Sequence, residues 1–152
     1  MIYGPMVMNA EVICYKGSWD TVKKVGVSQG RELEKELAKS TYPQITEFQD
    51  VTQKAILYTL EDETIDAAIQ DLTKAAQISE YSCKPLSEED TISYVMVVDK
   101  EFAETEAFAD FVKSYNQAVE RLNDTSYLAE RLGVTDNWIE EKNIKFLSVD
   151  EK

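Results

Sequence analysis

The chain of 152 residues contains no histidine. That absence removes the commonest general base and both the Ser-His and Cys-His nucleophile pairs. Glycine and proline are scarce, at 5 and 3, so the sequence offers no flexible linker and no low-complexity tract. The two cysteines, Cys14 and Cys83, are far apart and form no CxxC motif. Without histidine they make no metal site, and they read as two buried free thiols. No apolar run reaches the length of a membrane-spanning helix. The segment Met1–Pro5 lacks the basic and apolar regions of a signal peptide, although the mature part of an exported protein would look the same.

What is present is globular: 43% apolar and 30% charged residues, enough for one domain with a sizeable core. The 29 acidic and 16 basic residues leave a net charge of −13. Such a field repels phosphate backbones and anionic membranes, so nucleic acid is not an expected partner. A small anionic ligand stays open, because the field inside a pocket is local.

Hydrophobic patterning alternates strands with helices. Residues 6–15 read as one β-rich strand, Val25–Val27 as a short second, and residues 44–48 and 65–69 as the third and fourth. Helices are expected from Arg31 to about Lys39, from an Asp50 cap with Gln53 three residues on to about Glu61, and from Leu72 to Gln77. Ile92–Val98 is the strongest strand, apolar enough to predict burial on both faces. The strongest helix spans about 104–122, with Phe108, Phe111, Val112, Tyr115, Val119 and Leu122 on one stripe. Thr125 and Thr135 are candidate caps of two further helices, the first ending at Gly133. The order predicts an α/β fold with a mixed, largely parallel sheet flanked by helices. In it, the strands 25–27, 45–48 and 65–69 are parallel neighbours. The expected organisation is a single domain, a core over 6–100 with a helical extension over 101–152.

One stretch carries chemistry. Gly26-Val27-Ser28-Gln29-Gly30 matches GxSxG in form, but without histidine Ser28 has no base, so no catalytic residue is assigned and the chain is not read as an enzyme. A strand opening into Ser28, Gln29, Gly30 and Arg31 at a helix start instead gathers backbone N–H groups, a hydroxyl, an amide and a guanidinium. That set suits a carboxylate, phosphate or sulfonate; simple capping by Ser28 beside a solvated Arg31 is the competing reading. Asp71 stands at the carboxyl end of a strand, where α/β sheets bind ligands, or caps the helix at Leu72. The acidic clusters Glu32-Glu34-Glu36 and Glu61-Asp62-Glu63 read as solvated faces.

Val25-Gly26-Val27-Ser28-Gln29-Gly30, the strand-helix-strand that follows, and Leu60-Glu61-Asp62-Glu63-Thr64-Ile65-Asp66-Ala67-Ala68-Ile69 together resemble the second lobe of type II periplasmic substrate-binding proteins of ABC transporters. Tyr94–Val98 and the long helix with Phe108, Phe111, Tyr115 and Asn116 resemble that family's return strand and carboxyl-terminal helices. The resemblance covers residues 6–135 and rests on the order of elements. It implies a lobe whose loops hold a small solute for an ABC permease, with Ser28, Gln29, Gly30, Arg31 and Asp71 as the ligand contacts and no cofactor or metal. It also implies an extracytoplasmic location if the chain belongs to a longer binding protein, and a cytoplasmic one otherwise. Almost nothing precedes the strand at Met6, where the family has its first lobe. The apolar helix stripe therefore predicts a homodimer through the helix 104–122 and the strand 6–15. The alternative is a stand-alone interaction or assembly domain without a small ligand, which a solvated Arg31 would favour.

Overall fold

The computed structural model describes residues 1–78 and 80–151. Two compact units form, one from Met1–Ala10 together with the chain from Asp90 onward, the other from Glu11–Glu89. The chain crosses between them at Ala10/Glu11 and at Glu89/Asp90.

The expected strand 6–15 is two strands. β1 (Ile2–Met8) ends at Asn9, whose φ of +62° turns the chain out of line, and β2 (Glu11–Tyr15) follows. Asn9 suits that left-handed turn. Its side chain holds it there, donating to the Asp90 carboxylate at 2.9 Å and accepting from the Thr91 N–H at 3.0 Å.

The Glu11–Glu89 unit is a five-stranded mixed sheet. β3 (Lys24–Val27), β4 (Glu47–Asp50), β5 (Ala67–Asp71) and β6 (Ser82–Pro85) join β2 in the order β4-β3-β5-β2-β6. β3 runs parallel to both β4 and β5, as the β-α-β order predicts, while β2 runs antiparallel to β5 and β6. α1 (Glu32–Thr41), α2 (Ile56–Glu61) and α3 (Leu72–Gln77) cover it. Asp50 ends β4 and caps nothing; α2 starts six residues later. One core gathers Ile13, Val25, Val27, Ala38, Ile45 and Ile69; another gathers Val51, Ile56, Leu60, Ile65 and Ala68. Gly26 lets Ile65 and Val51 lie against the backbone of β3, where an added Cβ would meet Val51 Cγ2 at 3.3 Å and collide with Ile65.

Cys14 and Cys83 are disulfide-bonded, which overturns the reading of two free thiols. They are register partners on β2 and β6, brought together by strand pairing across a separation of 69 residues that no local spacing reveals.

In the other unit, β7 (Ile92–Val97) and β8 (Lys145–Phe146) flank β1 in a small antiparallel sheet. α4 (Glu106–Leu122), α5 (Thr125–Leu132) and α6 (Asp136–Lys142) complete it. Thr105 and Thr135 cap α4 and α6 through their hydroxyls. Asp124, not Thr125, caps α5, and Gly133 ends it in the left-handed conformation. β7 lies at the sheet edge with only Met96 buried, so its apolar run does not reflect burial on both faces. The stripe of α4 packs largely on its own unit: Phe108 and Val112 meet Met96, Val98, Ala103 and Val149, with Tyr115 beside them. Phe111 alone of the six remains half exposed. Nor can residues 6–15 offer a free strand edge, since β1 and β2 are each paired on both sides.

Candidate functional site

The parallel strands β3, β4 and β5 deliver Val27, Asp50 and Asp71 to one end of the five-stranded sheet. Antiparallel β2 begins at that same end with Glu11, opposite Asp71 in register. This is the end at which open α/β sheets bind ligands.

Here Arg31 Nη1 donates to Glu11 Oε1 at 2.8 Å, and Glu34 lies 3.6 Å from the same nitrogen. The Glu11 side chain is 9% exposed and that of Arg31 33%. Burial pushes the Glu11 carboxyl above its usual range; Arg31 pulls it down, while Glu34 and Asp71 add repulsion. Three carboxylates and one guanidinium therefore converge at this edge. The Asp71 carboxylate accepts from the Lys74 N–H at 3.0 Å and the Thr73 hydroxyl, so it caps α3 as its position allows.

The helix start is shaped by Gly30, whose φ of +87° is left-handed and open to solvent. Such a turn favours glycine. Gln29 is exposed, and Arg31 occupies the N-cap position of α1 without a side-chain cap. Ser28 Oγ donates to Gln53 Oε1 at 3.0 Å, so it neither caps α1 nor faces a base. Of the residues singled out in the sequence, Arg31 and Asp71 thus gather around Glu11. Ser28 turns to Gln53, and Gln29 and Gly30 lie at the rim.

Glu11 escaped the sequence reading, and Gln53 entered it only as the capping-box partner of Asp50. The signal for Glu11 was present, as a lone carboxylate inside the apolar run Val7–Tyr15. Among the described residues no cluster of three or more Cys, Asp or Glu side chains is arranged to hold a metal.

No family model matches the chain, and no curated protein sequence matches it. Solved structures resemble its fold. The ligand-binding component of an ABC-type import system from Staphylococcus aureus, with zinc bound, aligns with a TM-score of 0.62 at 11% identity, over 99% of this chain and 60% of that one. The periplasmic aliphatic sulphonate binding protein of Escherichia coli aligns with a TM-score of 0.54 at 14% identity, over 95% of this chain and 60% of that one. The alkanesulfonate-binding protein of Xanthomonas axonopodis pv. citri, bound to MOPS, gives 0.54 at 16% identity, over 93% and 58%. The chain thus spans about 60% of the length of these structures. At these identities the likeness establishes a fold: a mixed α/β sheet flanked by helices, like part of a periplasmic binding protein.

Proposed function

We propose that this chain is a solute-binding lobe of the ABC-import type and holds a small polar molecule at the carboxyl ends of β3 and β5. The observation that carries the reading is the gathering of Arg31, Glu11 and Asp71 there, beside the open turn at Gly30. Arg31 offers a carboxylate or sulfonate a charged donor. Because Glu11 already engages Arg31, an anionic group has to share that guanidinium, and a solute that also carries a cationic group fits the surplus of carboxylates better than a simple anion. Solutes bound by the similar proteins, a sulphonate in one and MOPS in another, fall within this chemistry. An ABC permease is the partner the reading implies. The Cys14–Cys83 disulfide supports an extracytoplasmic location, since such bonds persist in oxidising compartments. Catalysis is not proposed: Ser28 bonds to an amide, and the chain has no histidine.

Titration of the 15N-labelled chain with amino acids, short carboxylates and sulfonates tests this reading. The amides of Ser28–Arg31, Glu11 and Asp71 should shift saturably with at least one solute, and Arg31→Gln should abolish the response. Silence at these residues across the panel would remove the proposal.

A second reading has its own observation. Ile2 and Val97, register partners on β1 and β7, are 72% and 68% exposed, with Val95 uncovered as well. Phe102 and Phe111 are also half exposed on the same unit. Such apolar surface fits an interaction or assembly role, with self-association as its simplest form.

A further inference from the structure

A second concavity lies within the Glu11–Glu89 unit, on the face of β5 covered by α2 and α3. Ala68 packs on that face against Val51, Ile56, Leu60 and Ile65. Side chains alternate along a strand, so Gln70, two residues on, points to the same side. There it lines a space of about 240 Å3 with Lys54, Lys74 and Gln77, walled by Leu57 and Ile78. Gln53 completes the lining, and no carboxylate contributes to it. In a chain of net charge −13, two lysines and three amides without an acid form a local reversal of sign.

Gln70 is the most enclosed polar residue of this lining. It is 6% exposed, one of two polar side chains buried among the described residues. No hydrogen bond joins its side-chain amide to a described residue, and the amide reaches solvent where Gln70 lines the concavity. Buried amides in folded proteins are satisfied by protein, water or ligand. Here the free donors face two ammonium groups and an apolar wall, which together match an oxyanion on a short aliphatic body.

We infer that this concavity binds a short-chain carboxylate or sulfonate, whose oxyanion accepts from the Gln70 amide and the Lys74 and Lys54 ammonium groups while its carbons lie on Leu57 and Ile78. The site goes beyond the strand-end reading and involves none of Ser28, Arg31 or Asp71.

Butyrate and butanesulfonate are the probes, with butylammonium as the control of the same body and opposite charge. Spectra of the 15N-labelled chain follow the Gln70 side-chain NH2 and the backbone amides of Lys54 and Gln77. A saturable shift at Gln70 with either anion is expected, weakened about tenfold or more by Gln70→Leu and by Lys74→Gln. Lys54→Gln, at an exposed position, should weaken it too and guards against a fold defect in the buried variant. Equal response to butylammonium would overturn the charge assignment. No response at tens of millimolar would overturn the site and leave an ordered water as the partner of Gln70. Shifts confined to Ser28–Arg31 would sink this inference and keep the strand-end reading; shifts confined to Gln70 and Gln77 would do the reverse.

Discussion

The Arg31→Met variant would leave the Glu11 carboxylate largely enclosed without its 2.8 Å partner. Losing the cation of a partly buried pair should cost about 1–3 kcal/mol at neutral pH, between the values for exposed and buried pairs. The pH dependence follows from the direction of the Glu11 shift. Burial holds its folded value above the usual range of a glutamate carboxyl, so its contribution to stability is present below the unfolded value and lost as pH rises through the folded one. Removing Arg31 takes away a lowering influence and raises the folded value further. The gap between the variant and the parent protein should therefore be widest near neutrality and close as pH falls through the raised folded value and Glu11 protonates. Urea unfolding at the two ends of this range checks it; a gap independent of pH would mean that Arg31 matters only through packing. At this scale the sequence singled out Arg31 and Asp71 by their positions at element ends. It concealed that Glu11 sits opposite Asp71, because that neighbour is set by β2–β5 register.

Element order was more legible than element pairing. The three strands β3, β4 and β5 are parallel neighbours because β-α-β crossovers admit little else. The break at Asn9 was not legible from propensity, since the apolar pattern runs on across it. Nor was the edge position of β7, whose composition is that of a buried strand. The β2–β6 pairing joins segments separated by everything from β3 to α3, so its disulfide was hidden too. That bond closes a loop between residues 69 apart, and removing it should cost about 2–4 kcal/mol, chiefly by freeing the unfolded chain. The double variant Cys14→Ala/Cys83→Ala should lose that much in urea unfolding. Thiol titration of the native protein without reductant should find no reactive cysteine; two titratable thiols would contradict the pairing.

For the whole molecule, two opposing forces govern association. The uncovered pair Ile2 and Val97, with Val95, Phe102 and Phe111, favours contact with another apolar surface. The net charge of −13 opposes contact between two copies. Edge-to-edge pairing through residues 6–15 is excluded, because β1 and β2 are interior strands, and most of the α4 stripe is covered by its own unit. Any self-association is thus left to the exposed residues of β1, β7 and Phe111. Salt separates the contributions. It screens the like-charge repulsion within a Debye length of about 8 Å at 0.15 M and about 3 Å at 1 M, without weakening apolar burial. Sedimentation at tens of micromolar should therefore show a dimer fraction that grows with sodium chloride. Val97→Lys should reduce it at every salt concentration, and the outward-facing position of Val97 leaves the unit's own core intact. A dimer that weakens with salt would point to ion pairs as its basis. A monomer at every salt concentration would leave the apolar pair for a different polypeptide to cover, and would end the self-association proposal.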